Sequence, residues 1–261
     1  MRKIGINLLS LPGMSDADYI RLAAELGFSA MFTGMMDEPR QLACADLMAA
    51  NGIEYETIHA PFNGINSIWL EGDEGEMMLG RLTDTIDRCV QVGAPIAIIH
   101  LSAGNTPPSI TDIGRGRFAR LVEHAAQKNV RIAFENQRKL ANIAWAFETF
   151  ADPEVVGFCW DCGHESCFTR GREYMPLFGD RLICTHIHDN EGIQDKDDHW
   201  LPFDGCIDYS RFAGHIRRTD YHGSLMLEAG FDLQKYGNMS AGAFLQRAAD
   251  AAKKLVKMVD E

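Results

Sequence analysis

A chain of 261 residues, 46% hydrophobic and 24% charged, is long enough for one large domain; it lacks the composition of a disordered chain and any apolar window long enough to cross a bilayer. Its 37 acids against 25 Lys and Arg leave a formal net charge of -12, so a nucleic-acid duplex or an anionic membrane meets net repulsion at long range. Seven cysteines at irregular spacing, behind an apolar start interrupted by Asn7 and Ser10, read as reduced thiols of a cytoplasmic protein rather than a disulfide framework following a signal peptide.

Taken in order, Lys3 to Leu9 is the first strand, and Ser15-Asp16-Ala17-Asp18 has the form of a capping box opening an amphipathic helix that ends at Gly27. Phe28 to Thr33 is a second strand. A helix over about Pro39 to Asn51 closes at Gly52, and Ile53 to His59 alternates as a third strand. A long helix to about Val92 leads into Gly93 to His100, whose nearly continuous apolar run suits a strand buried on both faces. Helices over Ile113 to Lys128 and Ile143 to Phe150 precede strands at Val130 to Glu135 and Val155 to Asp161. Leu182 to His188 and Gly223 to Glu228 are the seventh and eighth strands, followed by a helix over about Ser240 to Val259.

Strand and helix alternating at intervals of a few tens of residues predict a single-domain (β/α)8 TIM barrel. A doubly wound open sheet is the competing architecture. It would be expected to carry a dinucleotide-type glycine fingerprint in its first turn, and Leu9 to Ser15 has none; no GK[ST] phosphate loop occurs either.

In a barrel of this kind the carboxyl ends of all the strands open onto one face. His59, His100, Glu135, Asp161, His186 and Glu228 each close a different predicted strand. His164 and His188 lie within a turn of theirs, and Asp197 and His199 sit in the following loop. Six of the nine histidines therefore gather at the mouth, which random scatter over helices and strands would not produce. A lone buried carboxylate is ordinarily paired with an arginine, but arginines near these positions are too few. Acids and imidazoles converging without matching cations point to a divalent metal. The plainer alternative is that His186 and His188 are satisfied interior groups and Asp197 to His199 a solvated loop. Cys162 and Cys167, a lone pair, are a weak zinc signal.

The succession FENQ (Phe134 to Gln137), WDCGH (Trp160 to His164), THIHDN (Thr185 to Asn190), Asp197-x-His199 with LPFDG after it, and LEAG (Leu227 to Gly230) resembles the xylose isomerase-like TIM barrel superfamily. That group includes sugar isomerases and epimerases, hydroxypyruvate isomerase, some dehydratases and endonuclease IV. The resemblance implies a divalent cation (Mn, Mg, Co or Zn) held by Glu135, Asp161, His186 and Glu228. The endonuclease IV pattern adds His59, His100, His164, Asp197 and His199. Glu135 and Glu228 are then expected to take and return a proton in a sugar or sugar phosphate isomerase or epimerase working through an enediolate. His188, at the family's Lys or Asn position, is expected to help move a proton between oxygens. A small carbohydrate is the implied partner, not nucleic acid or a membrane. Phe62, Trp69 and Trp200 are expected to wall the pocket, and Arg138 is a candidate anion contact. A zinc phosphodiesterase and a dehydratase of the same fold are the alternatives; the first would need a basic surface around its mouth, which this acidic chain does not offer.

Overall fold

The structure, a computed structural model, describes residues 2–261. Its strands are β1 (Ile4–Asn7), β2 (Ala30–Gly34), β3 (Glu54–His59), β4 (Ile96–His100), β5 (Arg131–Glu135), β6 (Val156–Asp161), β7 (Leu182–His186) and β8 (Leu225–Leu227). All pair in parallel in the order β7-β6-β5-β4-β3-β2-β1-β8. The seam between β7 and β8 is joined by a bridge, in which Ile187 N donates to Met226 O at 2.9 Å and Glu228 N to Ile187 O at 3.0 Å. The expected (β/α)8 barrel is therefore present.

The helices between the strands are α1 (Asp16–Glu25), α2 (Glu38–Ala50), α3 (Asp73–Val92), α4 (Asp112–Lys128), α5 (Leu140–Thr149), α6 (Cys162–Phe168), α7 (Met175–Phe178), α8 (Tyr209–Ile216), α9 (Leu233–Tyr236) and α10 (Ala241–Asp260). Several begin on side chains that satisfy first-turn amides. Ser15, Thr111 and Ser240 accept from the backbone N–H three residues on, as N-caps do. Along α10, Phe244, Leu245, Ala248, Ala252, Leu255 and Val259 recur at helical spacing and are buried against the barrel. Among the described residues no helix is long and apolar enough to cross a membrane.

Two differences from the sequence reading bear on the site. The seventh strand stops at His186, because Ile187 turns from β6 to bridge β8, so His188 lies beyond it. The elements read from the sequence include no helix between the sixth and eighth strands, yet α6, α7 and α8 lie there. The first of these starts directly on the last residue of β6. Asp161 ends the strand and also accepts from His164 N at 2.6 Å as the helix N-cap, leaving no loop to mark the boundary.

Register explains why residues far apart in sequence meet. Paired residues of neighbouring strands face the same side of a sheet. The pairs His59 with Ile98, Ile98 with Ala133, Glu135 with Cys159 and Cys159 with Cys184 run around one inner face. Ile96, Ile98, Ala133, Cys159 and Cys184 form an apolar cluster inside the barrel. One step further along the strands, His100 pairs with Glu135 and Asp161 with His186. The stagger that closes a barrel thus raises these ends into one ring at the carboxyl-terminal mouth.

Candidate metal centre

Three groups of potential ligand atoms meet at the mouth. In the first, Glu135, Asp161, His186 and Glu228 each offer an atom within 4.8 Å of the others. His186 Nδ1 stands 3.2 Å from Glu135 Oε1 and 3.2 Å from Glu228 Oε2. The second of these contacts lacks hydrogen-bond geometry, and Glu228 Oε2 is left without a partner.

The second group surrounds the other oxygen of Glu135. His59 Nε2 and His100 Nε2 are 3.2 Å apart and lie 3.0 Å and 2.7 Å from Glu135 Oε2. His186 also stands with His59 and Glu135. Around a tetrahedral ion with ligands at ~2.0–2.1 Å, neighbouring ligand atoms are separated by about 3.3 Å, close to this spacing. In the third group, Asp197 Oδ2 lies 3.2 Å from His164 Nε2 and 3.1 Å from His199 Nε2. His188 Nε2 completes it, 3.6 Å from Asp197 Oδ1 and 3.1 Å from Asp161 Oδ1.

Ring tautomers test whether these atoms fit a cation. His59 Nδ1 faces Ala60 O at 2.8 Å, His164 Nδ1 faces Asn136 O at 3.1 Å and His199 Nδ1 faces Glu228 O at 3.0 Å. A carbonyl only accepts, so His59 and His199 carry their hydrogen on Nδ1 and in the neutral ring present a lone pair at Nε2, whereas His164 Nδ1 meets both a carbonyl and, at 3.1 Å, the Gln137 amide nitrogen. Those lone pairs point at carboxylate oxygens, an arrangement of acceptor against acceptor that needs either a proton or a metal ion between them. Backbone carbonyls fixing the outer nitrogen are also the usual support of metal-bound histidine. Among the described residues, His186 Nε2, His188 Nδ1 and His100 Nδ1 have no hydrogen-bond partner.

The electrostatics follow from the same crowding. Burial opposes charge on His199, but Asp197, Glu228 and Asp161 outweigh it and raise the ring to about 10. His164 and His186 are likewise held well above the ordinary histidine value, against burial, by Asp161 and Asp197 for the first and by Glu228 and Glu135 for the second. Glu135, Asp197 and Glu228 are depressed despite burial, by the imidazoles around them. His100 is pulled down by burial and stays neutral. The donor set of carboxylates and imidazoles, with lone pairs converging and outer nitrogens anchored, fits a divalent cation of the Mn, Co or Zn kind.

Each acid and imidazole expected at the mouth from the sequence stands there, although His188 belongs with His164, Asp197 and His199 rather than beside His186. Two expected wall residues do not. Trp69 is buried between Phe118 and Trp145 with its Nε1 donating to Leu101 O at 2.7 Å, and Gly114 lies so close beneath it that a Cβ there would stand 2.0 Å from the ring. Trp200 is buried under Lys235, and neither tryptophan lines the cleft over the ligands. Phe62 does line it, half exposed and stacked on His100 at 4.6 Å. That cleft, of about 290 Å³, adjoins a second of about 420 Å³, and both are lined by His59, Phe62 and Glu228.

Several supporting residues are not among the candidates read from the sequence. Asp189, fully buried, accepts hydrogen bonds from the backbone N–H groups of Asn190, Phe203 and Ile207 and so ties down the loop that carries Asp197 and His199. Gly205 lies against it, where a Cβ would stand 2.4 Å from Asp189 Oδ1. A Cβ at Gly163 would lie 1.9 Å from the His188 ring, so only glycine leaves that imidazole its place. The Gln137 amide sits between His100 and His164. An acid followed by a Pro/Gly-rich loop hints at the first of these roles; the others depend on packing.

Comparison with known proteins bears on the same architecture. The family model described as "Xylose isomerase-like TIM barrel" matches residues 20–256. An uncharacterized protein, y4fM, of Sinorhizobium fredii is 29% identical over 248 residues, covering 82% of this chain and 77% of its own. Among solved structures, D-psicose 3-epimerase from Clostridium cellulolyticum H10, determined with D-tagatose, superposes with a TM-score of 0.79 at 13% identity over 99% of each chain. D-allulose 3-epimerase from Methylomonas sp., in complex with D-allulose, does so with a TM-score of 0.73 at 17% identity, over 98% of this chain and 97% of its own. At these identities the two likenesses speak for the fold.

Proposed function

From a chain that belongs to the xylose isomerase-like TIM barrel family, we propose a divalent-metal-dependent isomerase or epimerase acting on a small sugar or sugar phosphate. The observation that carries this reading is the placement of Glu135 and Glu228 on either side of His186, with Asp161 completing a four-residue group. These four residues would hold the ion. When bound, a divalent cation polarises a substrate carbonyl and offsets the charge that develops as a neighbouring C–H proton leaves.

The chain's own residues supply the rest. Glu135 and Glu228 are both ionised at neutral pH, so either carboxylate can accept the C–H proton, and the other can return one from a different side of the substrate. His164 and His188, beside Asp161 and Asp197, would pass a proton between substrate oxygens. Phe62 covers one wall and reduces the access of water, and clefts of about 290 and 420 Å³ suit a small molecule.

The test is hydrogen exchange. The metal-loaded protein, incubated in D2O with a panel of ketoses, aldoses and their phosphates, is expected to place deuterium at the carbon beside the carbonyl of at least one of them, read by proton NMR. No exchange across the panel, together with hydrolysis of a phosphodiester, would overturn the reading.

A second reading has its own observation. The groups around Asp197 and around His59 and His100 offer sites for further ions beside the first, and several ions sharing carboxylates suit hydrolysis of a phosphate ester, as in endonuclease IV. Against nucleic acid as the substrate stand the net charge of -12 and a cleft whose lining carries a single arginine. Three zinc ions per chain and salt-sensitive binding of an abasic duplex would favour this second reading.

A further inference from the structure

Around the mouth, the four acids of the ligand groups meet imidazoles, the His164 backbone N–H at Asp161 and the Cys167 thiol at Asp197, and no Lys or Arg among the described residues. One permanent cation stands at the edge. Arg138, just past β5, lines the smaller cleft, and among the described residues it is the single Lys or Arg lining either of the two clefts. Its guanidinium is held from two directions. Nε donates to Asp195 Oδ1 at 2.9 Å, while Asn105 Nδ2 donates to the other oxygen of the same carboxylate at 3.1 Å. Its plane lies 3.6 Å over the Phe168 ring, which in turn stacks on His164 at 4.7 Å. The side chain is fixed, then, and tied by stacking to an imidazole of the metal groups.

An arginine whose purpose is only a surface ion pair commonly presents its two-pronged end to the acid. Here Asp195 takes Nε alone, and among the described residues neither NH1 nor NH2 donates to the protein. Four N–H bonds are left in a planar fork of fixed orientation beside a cleft that already offers sites for a cation and a general base. Such a fork matches the paired oxygens of a phosphate or carboxylate. Hydroxyls of a neutral sugar can accept from it singly, but an anionic pair of oxygens accepts from both prongs and with a charge-assisted bond.

We propose that Arg138 is a specificity-determining residue that binds an anionic terminus of the substrate, so that the compound taken at this mouth is a phosphorylated or carboxylated polyhydroxy carbonyl rather than a neutral sugar. This rests on the reading of the mouth as a sugar isomerase or epimerase, and it narrows that reading to acidic substrates. The anionic end sits at the rim beside Phe168 and the carbonyl end reaches inward to Glu135 and Glu228. Stacking and the Asp195 contact prepay the ordering of a long side chain, which favours binding over a mobile surface arginine.

The test uses non-reacting analogues, so it does not depend on turnover. Calorimetry on the metal-loaded protein compares D-arabinitol, D-arabinitol 5-phosphate and D-arabinonate, in the parent and in Arg138→Gln and Arg138→Lys. The parent is expected to bind at least one anionic analogue about 10- to 100-fold more tightly than arabinitol, the range of a charge-assisted hydrogen-bonded contact. Arg138→Gln should remove that advantage with metal content and melting temperature retained, and Arg138→Lys should restore part of it. Whichever analogue gains, the phosphate or the carboxylate, identifies the group that is read. If the three analogues bind alike or not at all, or if the advantage survives in Arg138→Gln, the assignment is wrong. Should no sugar exchange hydrogen with solvent while the Arg138-dependent preference remains, the isomerase reading falls and this assignment stands.

Discussion

Two regions of this protein bury charge, and they do so in opposite ways. Arg117, on α4, is 5% exposed, and its guanidinium donates to Glu76 Oε1 at 2.9 Å, to Ile68 O at 3.0 Å, to Leu70 O at 2.6 Å and to Gly72 O at 3.1 Å. The charge is fully partnered and acts as a clamp on the loop after β3. At the mouth His186 and His188 are buried as deeply, yet among the described residues Glu228 Oε2, His186 Nε2, His100 Nδ1 and His188 Nδ1 have no hydrogen-bond partner. A buried group that is left unsatisfied costs about 1–3 kcal/mol. Unpartnered buried polar atoms also occur elsewhere, at Arg88 Nη1 and Trp145 Nε1 for example; what sets the mouth apart is that its unpartnered atoms belong to carboxylates and imidazoles gathered into groups of potential ligands.

The comparison can be broken most directly by removing one charge from each region. Glu135→Gln keeps the volume and removes the base, and it is expected to slow solvent exchange of the substrate's hydrogen by ~10²–10⁴ while leaving the circular dichroism spectrum and elution volume of the parent. Undiminished exchange would detach Glu135 from the chemistry. Arg117→Ala should do the reverse. Loss of the clamp leaves several carbonyls without donors and lowers unfolding free energy by ~3–5 kcal/mol in urea titration, with the metal content of the folded fraction unchanged. A variant of ordinary stability would show that the clamp is dispensable.

Asp189 sharpens the contrast, being a structural charge inside the mouth. Replacing it by alanine frees the three amides it accepts from, and a loss of ~1–3 kcal/mol is expected together with weaker metal binding at Asp197 and His199. Unaltered metal affinity would mean that the loop holds its shape without it. Protons give a smaller, graded probe. In the metal-free chain His164, His186 and His199 hold protons at neutral pH, since their values are raised, the last to about 10. An incoming ion must displace them, so affinity should rise with pH, about ten-fold per unit for each proton displaced, and proton release should appear as a buffer-dependent heat. Affinity independent of pH between 6 and ~9 would contradict the arrangement of lone pairs described above.

Much of the site was legible because a parallel barrel turns strand ends into a ring. His59, His100, Glu135 and Asp161 each end a strand whose apolar or alternating pattern is plain in the sequence, and the fold needed only to be named for them to meet. His186 and His188 show the limit of that logic. Alternation puts both on one face, but two residues along a strand is about 6.6 Å, enough to send them to different ligand groups. The α8 helix is legible in the pattern, since Asp208 caps it and Tyr209, Phe212, Ala213 and Ile216 follow at helical spacing. Trp69 was not legible. An aromatic in a loop reads the same whether it walls a cleft or fills a core, and only the closeness of Gly114 on a distant helix decides between them. The role of Gly163 is equally a matter of approach in space.

The central claim is that the mouth binds a divalent ion through Glu135, Asp161, His186 and Glu228. Elemental analysis of the purified protein, repeated on Asp161→Asn, tests it most directly. At least one divalent ion per chain is expected in the parent, with a clear loss in the variant at unchanged melting temperature of the chelated forms. A parent that retains no divalent ion, and gives no heat when Mn, Co, Zn or Mg is added back, would contradict it.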